Sequence, residues 1–422
     1  MKTFSMITFG CKVNQYDTYQ LKKKFLQAGL KETAYPEKSD ICLINTCTVT
    51  ARADQKARKL IRKIHQLNPN AYIVITGCYG SAKEDREELQ TLPGVRLIVA
   101  NKDKSKIFEK LPLPPIEQNH PIPTSPLPQI GQRNRVYLKI QDGCNLMCTF
   151  CKIPYVRGQL TSTPPEKILE EAKRYIEQGF QEIVITGVHL GLYGWRKNNQ
   201  YRLWKVLEKL AKLPGLGRIR LSSLEANEIT LELIQVVQNE EKICPHFHIP
   251  LQSGDDRILQ LMNRKYTQKE FLKKIELLHQ YLDFPGLTTD VIYGFPTETE
   301  QNFQQTLRVL QLAQFHRVHA FPFSPRRRTP AYHMEPKVRP EEMKLRKKQL
   351  IQTSQEINLQ LRQRMLGKTV QVLVESNQET EHFTGYCQRY FKCYLEEKIP
   401  PNTILSLQVK ELFEDGLKCK KI

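Results

Sequence analysis

Six of the chain's eleven cysteines fall into two sets of three. Cys144, Cys148 and Cys151 share one short loop, GCNLMCTFC, with the spacing C-x3-C-x2-C. Cys11, Cys47 and Cys78 are far apart, yet each closes an apolar, strand-like run: FSMITFGC, DICLINTC and AYIVITGC. Three thiolates can hold three irons of a 4Fe–4S cube and leave the fourth iron open. Electron-transfer clusters normally take four cysteines, so two sets of three point to chemistry at the free irons.

The distant cysteines need a scaffold that brings strand ends together. Residues 1–110 supply one, with strand patterns at Phe4–Phe9, Ile41–Asn45, Tyr72–Thr76 and Val95–Val99 and helix patterns at Gln15–Ala28 and Ala51–Gln66. This predicts an open α/β sheet, whose ligands bind outside the carboxyl ends of its strands. From Leu111 to Gly131 seven prolines exclude a regular helix and mark an extended linker. Six further strand candidates follow: Val136–Gln141, Glu182–Thr186, Arg218–Ser223, Phe247–Gln252, Leu287–Tyr293 and Arg317–Phe323. Helix patterns at Pro165–Gln178, Leu203–Leu213, Leu231–Asn239, Asp255–Leu282 and Glu300–Gln314 alternate with them. Six β/α units predict a parallel, partly closed barrel over residues 132–342, with its chemistry at the strand carboxyl ends. The loop with Cys144 follows the first of these strands and is expected on that face. A basic helical connector (residues 343–366) leads to five short alternating strands (residues 367–422), the pattern of a small β-barrel that binds single-stranded nucleic acid.

Composition narrows the class. Lys and Arg total 64 against 44 Asp and Glu, a formal charge of +20, which suits a polyanionic partner such as RNA. The excess gathers at Lys344, Arg346, Lys347, Lys348, Arg362, Arg364 and Lys368, and at Arg326–Arg328. Such groups neutralise phosphates without reading sequence. No apolar run approaches a membrane helix, and MKTFSMITFGC lacks the marks of a signal peptide. A cytoplasmic, reducing location is therefore expected, in which cysteines serve as metal ligands or reactive thiols rather than staples.

The C-x3-C-x2-C loop, with Phe150 before its last cysteine, resembles the radical S-adenosylmethionine (SAM) superfamily. TFGCKVNQYD, INTCTVTARAD, TGCYG, CTFCKIPYVRG, ITGVHLGLYG, RIRLSSLE, HIPLQSGDDRIL, MNRKYT and DVIYGFPTETEQNF resemble the methylthiotransferase family, in the expected order. The tail is similar to its RNA-binding TRAM domain. The resemblance implies an N-terminal methylthiotransferase α/β domain, a central partial (β/α)6 radical SAM barrel and a C-terminal TRAM-like β-barrel. It implies two 4Fe–4S clusters and SAM as cofactors. Cys144, Cys148 and Cys151 would hold the radical-generating cluster, whose free iron chelates SAM, and Cys11, Cys47 and Cys78 an auxiliary cluster carrying the sulfur to be transferred. One SAM methylates that sulfur, and a second supplies the radical that takes hydrogen from carbon 2 of an adenine. The run Gly10-Cys11-Lys12-Val13-Asn14-Gln15 is similar to the branch that modifies N6-threonylcarbamoyladenosine at position 37 of tRNA. Isopentenyladenosine in tRNA and an aspartate of a ribosomal protein remain the alternatives. The implied partners are the tRNA anticodon stem-loop, an electron donor such as flavodoxin or ferredoxin, and a sulfur source, for a chain expected to be monomeric.

No catalytic residue is expected beyond the cluster ligands. Gly187 and the segment to Gly194, Ser222, Glu225, Gln252, Ser253 and Asp290 fall at or near predicted strand ends and are candidate SAM contacts, with a structural rim role as the alternative for each. His246 and His248 alternate onto one strand face beside Cys244. Two ligands on one strand do not close a zinc shell, so these histidines are expected to line the active site. Cys42, Cys387, Cys393 and Cys419 are expected to be small buried hydrophobes. A zinc site, or a non-catalytic RNA-binding protein, would need four closed ligands per metal, and each set has three. The chain departs from the family pattern at Gln159, Thr161 and Thr163, where alternating Arg and Ser are usual. It departs also at Lys152, where an apolar residue is usual, and at Arg328, where glycine is frequent. Arg328 is thus expected either to add an RNA contact or to exclude a backbone conformation that needs glycine.

Overall fold

A computed structural model describes residues 2–113, 134–195, 201–375 and 383–422. The expected linker lies, from residue 114 to 131, outside the described residues. The chain forms two compact units. The first comprises Met1–Gly131, Asp142–Leu160 and Ser324–Tyr332, and the second comprises Gln132–Gln141, Thr161–Phe323 and His333–Ile422. The second cysteine loop therefore packs within the same unit as the N-terminal sheet.

In the first unit β1 (Thr3–Thr8), β2 (Lys31–Glu32), β3 (Ile41–Thr46), β4 (Tyr72–Thr76) and β5 (Val95–Ile98) make a parallel sheet of order β2-β1-β3-β4-β5. Helices α1 (Lys12–Gln27), α2 (Ala51–Leu67), α3 (Gly77–Ser81) and α4 (Lys83–Gln90) connect the strands. Every residue of β3 is buried, because alternate side chains serve opposite faces and both faces are covered. Cys42 and Ile44 pack with Ala57, Ile61 and Ile64 of α2, whereas Ile41 and Leu43 pack with Leu21 and Phe25 of α1. Cys42 lies inside β3 and is fully buried. Burying each such aliphatic side chain is worth roughly 1.5–3 kcal/mol, which fixes the strand ends that carry the cysteines.

In the second unit β6 (Arg135–Asp142), which runs on into the first unit at its last residue, pairs with β8 (Glu182–Gly187). The latter pairs with β9 (Arg218–Leu221), and all are parallel. The short β7 (Thr161–Ser162) flanks β6, and α5 (Ile153–Arg157) precedes it in the chain. A second parallel sheet joins β10 (His246–His248), β11 (Gly286–Tyr293) and β12 (Arg317–Pro322). Parallel bridges Ile219↔Ile243 and Ser223↔His248 link the two sheets, giving the partial six-stranded barrel. Helices α6 (Pro165–Glu177), α7 (Leu203–Ala211), α8 (Leu231–Asn239), α9 (Asp256–Leu261), α10 (Gln268–Tyr281) and α11 (Glu300–Ala313) intervene. The helix expected over Asp255–Leu282 is two, α9 and α10. Asn263 takes a left-handed φ of 58° and Thr267 caps α10 reciprocally with Glu270, a break that MNRKYT encodes through an Asn tolerant of αL and a capping box. The strand expected over Phe247–Gln252 is only three residues long. Pro250 interrupts the ladder, and Gln252 rejoins through one bridge to Val291 at a φ of 62°.

Helix α12 (Pro340–Gln363) leads to a closed five-stranded barrel, β13 (Thr369–Glu375), β14 (Phe383–Cys387), β15 (Lys392–Leu395), β16 (Ile404–Phe413) and β17 (Gly416–Lys421), in the order β13-β14-β15-β17-β16. It docks on the amino ends of the central strands. Glu182, at the start of β8, is fully buried between Arg218 and Arg220. Burial opposes its charge, but Arg218, Arg220 and Arg135 hold its carboxyl well below the usual range. The same guanidinium groups donate to the C-terminal barrel: Arg218 to the carbonyls of Gln371 (3.2 Å) and Tyr386 (2.9 Å), and Arg220 to those of Gln388 (3.0 Å) and Cys387 (3.1 Å). Among the described residues no helix is long and apolar enough to cross a membrane.

Candidate cluster and cofactor sites

Cys11 is the N-cap of α1, Cys47 follows β3, and Cys78 lies in α3 directly after β4. The three cysteines thus sit at the carboxyl ends of adjacent strands. Two glycines permit the approach. At Gly10 (φ 102°) a Cβ would lie 2.7 Å from Cys47 Cβ, and at Gly77 (φ 92°) it would lie 2.2 Å from the Thr46 carbonyl oxygen. Burial pushes the Cys47 thiol up to about 12, and charge on Cys78 and Cys11 adds to the shift. Burial raises Cys11 as well, against the pull of Arg157. A bound cation reverses this logic, since a coordinating thiol is deprotonated outright.

In the second loop Cys151 N donates to Cys148 O (3.0 Å), and Met147 turns the chain at a φ of 53°. Cys151 is pushed up to about 12 by burial first, then by Cys148, Cys144 and, from the other set, Cys78. The two sets are therefore electrostatic neighbours within one unit. α5, which follows this loop, packs through Val156 and Ile153 on Cys78 and Ala82. Asn101 Nδ2 donates to Val156 O (3.1 Å) and to Cys78 Sγ (3.7 Å).

None of the eleven cysteines is in a disulfide. Among the described residues only His248, Asp290 and His319 bring three ligating atoms within 4.8 Å of one another.

Beneath Cys11 and Cys47 lies a buried polar web that the sequence reading missed. Asn14 Nδ2 donates to the carbonyls of Phe9 (2.8 Å) and Thr46 (3.0 Å), and Lys104 Nζ lies 2.8 Å from Asp17 Oδ2. Arg157 joins Asp17, Asp142 and Asn14. The signal available was polarity inside KVNQYD and INTC, where an amphipathic helix and a buried strand ask for apolar residues. Lys152 is buried, with Nζ 3.0 Å from Glu84 and 2.9 Å from Asp85. Arg328 reaches the same Glu84 at 3.2 Å. These two departures from the family pattern therefore converge on one carboxylate. Arg328 does not exclude the glycine-type backbone but adopts it, at a φ of 67°.

The candidate SAM contacts lie as follows. Ser222, directly after β9, is buried and its hydroxyl has no hydrogen-bond partner among the described residues, as a group awaiting a ligand would be. Gly187 ends β8, where a Cβ would lie 2.9 Å from Gln141 Oε1. Glu225 is ion-paired with Arg264 and caps a short turn reciprocally with Glu228. Glu228 in turn pairs with His189, a partnership hidden in the segment Gly187–Gly194. Ser253 is fully buried, its hydroxyl 3.4 Å from Thr306 Oγ1. Gln252 N donates to Asp290 O (2.9 Å), and the Asp290 carboxylate lies 3.2 Å from His248 Nε2. His246 turns instead toward Tyr390 of the C-terminal barrel, with ring centroids 4.7 Å apart.

The basic residues divide. Arg346 is buried on Glu298 (2.7 Å), Arg362 donates to the carbonyls of Glu414 and Gly416, and Arg326 is buried on Asp54. These three hold the fold. Lys344, Lys347, Lys348, Arg364, Lys368 and Arg327 are exposed and are the ones available to phosphates. Cys42, Cys387, Cys393 and Cys419 are buried.

Residues 138–310 match the Radical SAM superfamily, and residues 3–100 match the Uncharacterized protein family UPF0004. The threonylcarbamoyladenosine tRNA methylthiotransferase MtaB of Chlamydia pneumoniae is 36% identical over 98% of this chain and 97% of its own length. Its namesake in Bacillus subtilis is 36% identical over 93% and 90%. The tRNA-2-methylthio-N(6)-dimethylallyladenosine synthase of Thermodesulfovibrio yellowstonii is 32% identical over 97% and 96%. Among solved structures, the radical S-adenosylmethionine methyltransferase TsrM from Kitasatospora setae superposes with a TM-score of 0.54. At 12% identity, over 79% of this chain and 77% of that one, it is a likeness of fold.

Proposed function

Because the chain belongs to the MtaB branch of the radical SAM methylthiotransferase family, we propose that it adds a methylthio group to carbon 2 of N6-threonylcarbamoyladenosine at position 37 of tRNA. The observation that carries this reading is the pair of three-cysteine sets within one compact unit, where the helix after the second loop packs on Cys78 of the first set. Cys11, Cys47 and Cys78 would hold one 4Fe–4S cluster, and Cys144, Cys148 and Cys151 the other, each with one iron left open. With both clusters and SAM bound, the site supplies an electron, a methyl group and hydrogen abstraction from an unactivated ring carbon.

The chain's own residues position and shield. The web of Asn14, Asp17, Lys104 and Arg157 fixes the strand ends under the first set. The unpartnered Ser222 hydroxyl, with Gly187, Gln252 and the neighbouring carboxylates, would receive SAM at the barrel strand ends. The exposed Lys344, Lys347 and Lys348 of α12, with Arg364 and Lys368 after it, would meet the anticodon stem-loop by phosphate contact. A division at residues 1–110, 132–342, 343–366 and 367–422, joined by the linker 111–131, accompanies this reading. So do a monomeric state, a cytoplasmic location, a flavodoxin- or ferredoxin-like electron donor and a separate sulfur source.

The test is anaerobic. The protein is reconstituted, iron and sulfide are counted, and SAM, dithionite and threonylcarbamoyl-bearing tRNA are added before nucleoside mass spectrometry. About eight irons per chain, as two cubes require, 5′-deoxyadenosine and a methylthiolated nucleoside are expected. SAM cleavage with product only on isopentenyl-bearing tRNA would move the chain to the other substrate. Zinc in place of iron, without cleavage, would end the reading.

A further inference from the structure

Three side chains on three adjacent strands of the central barrel meet at one point, and one of them, Asp290, is among the candidate SAM contacts above. His248 ends β10, Asp290 lies in β11 and His319 lies in β12. Asp290 and His319 are direct partners in the parallel register, and His248 is paired with Thr288, two residues before Asp290. Side chains two apart on a strand share a face, so Thr288 and Asp290 point the same way, opposite Leu287, Thr289 and Val291. His248 Nε2 and Asp290 Oδ2 are 3.2 Å apart, the His248 and His319 rings have centroids 5.9 Å apart, and one ligating atom from each of the three lies within 4.8 Å of the others. All three are partly accessible.

We infer that His248, Asp290 and His319 form a binding site for one divalent first-row metal cation inside the central barrel. Ligands about 2.1 Å from an ion stand about 3 to 3.5 Å from one another, and the His248–Asp290 separation already has that value. Two imidazoles and one carboxylate make the donor set that binds such cations facially and leaves positions open to oxygen ligands. The surroundings orient the first ligand. Thr288 Oγ1 lies 2.9 Å from His248 Nδ1 and 3.2 Å from His246 Nε2. In one of the two proton orders that satisfy both contacts, His248 Nδ1–H donates to Thr288 and the Thr288 hydroxyl donates to His246. The His248 Nε2 lone pair then faces the Asp290 carboxylate, and a cation between the two acceptors reconciles them. A hydrogen bond from the far ring nitrogen is the usual support of a metal-bound histidine. The metal partners of His248 thus come from neighbouring strands and not from His246 on its own strand. In this assignment Asp290 serves the cation rather than SAM.

The inference is tested by titrating Mn2+ into the full-length, cluster-reconstituted protein in its oxidised form and following the free-ion electron paramagnetic resonance signal. Oxidised 4Fe–4S clusters are silent in this experiment, so the readout is independent of turnover. One tight equivalent of Mn2+ is expected in the wild type. It should be lost in Asp290→Asn and His319→Ala and weakened about tenfold in Thr288→Val, as for other changes to a ligand's hydrogen-bond partner. Asp290→Asn is nearly isosteric, and unchanged iron content in each variant shows that the fold is kept. No bound Mn2+ at millimolar concentration, or one equivalent bound equally by wild type, Asp290→Asn and His319→Ala, would overturn the assignment.

Discussion

Arg157 Nη1 lies 3.1 Å from Asp17 Oδ2, so the guanidinium that follows the second cysteine loop is tied to the helix that begins after Cys11. Burial works against the Arg157 charge, yet Cys78, Asp17, Asp142 and Cys11 hold it well above its ordinary value. Replacing it with Met removes its ion pairs with Asp17 and Asp142, while Asp17 keeps Lys104 and Asp142 keeps the Gly143 amide. Loss of one member of a buried pair costs about 3–5 kcal/mol. Arg157→Met is expected to unfold at clearly lower denaturant and to retain less iron, whereas Arg157→Lys should recover part of both. Iron retention equal to wild type in Arg157→Met would show that this tie does not support the clusters.

The two cysteine sets should fail differently. Cys11→Ala is expected to lower the iron count from about eight to about four while SAM is still cleaved, giving 5′-deoxyadenosine without methylthiolated tRNA. Cys148→Ala should reach a similar iron count but abolish the cleavage. Equal cleavage in both variants, measured by chromatography of the nucleoside product, would contradict the division of labour.

Arg328 offers a signed prediction. A non-glycine residue in the left-handed region costs about 1 kcal/mol or more, and its ion pair with Glu84 is more than half exposed on the arginine side, so that pair is worth about 0–1 kcal/mol. Arg328→Gly relieves the strain and loses only the pair, so it should be neutral or stabilise slightly. Arg328→Ala keeps the strain and loses the pair, so it should destabilise. Denaturant midpoints that order the two variants the other way would refute this account.

The docking of the C-terminal barrel should be sensitive to acid. His316 is buried against Phe391, with ring centroids 4.4 Å apart. Burial first, and Arg317 second, pushes it down to about 3 from the usual 6.5. Between those values the unfolded chain binds the proton and the folded chain does not. Its contribution is therefore complete above pH 6.5 and shrinks as the pH falls. From pH 7.5 to 5.5 the loss amounts to about 1.4 kcal/mol. His316→Phe should flatten the stability difference between these two pH values by about that amount, as read by equilibrium denaturation.

Much of this architecture was legible in the sequence because its signals are local. ICLINTC and AYIVITGC are buried strands that end in cysteine, and a sheet covered on both faces demands such continuous apolar runs. The C-x3-C-x2-C loop declares itself within eight residues. What stayed hidden depends on pairing across the chain. Lys152 and Arg328 looked like isolated oddities until both were found on Glu84, since no periodicity relates the three. The long helix expected over Asp255–Leu282 failed for a different reason. Its apolar pattern continues across MNRKYT, while the left-handed Asn263 and the Thr267 cap interrupt the backbone. Arg346, Arg362 and Arg326 counted toward an RNA-facing charge because charge can be summed from sequence and burial cannot.

Arg218 and Arg220 spend their donors on the carbonyls of Gln371, Tyr386, Cys387 and Gln388. A chimaera that grafts the C-terminal barrel of one relative onto the core of another must therefore match the recipient's two arginines to the donor's turn. A stop codon after α12 would leave both guanidinium groups and Glu182 facing water through an unlidded opening. The C-terminal barrel thus serves as a floor for the central barrel, and the boundary that looks natural in sequence is a poor place to cut.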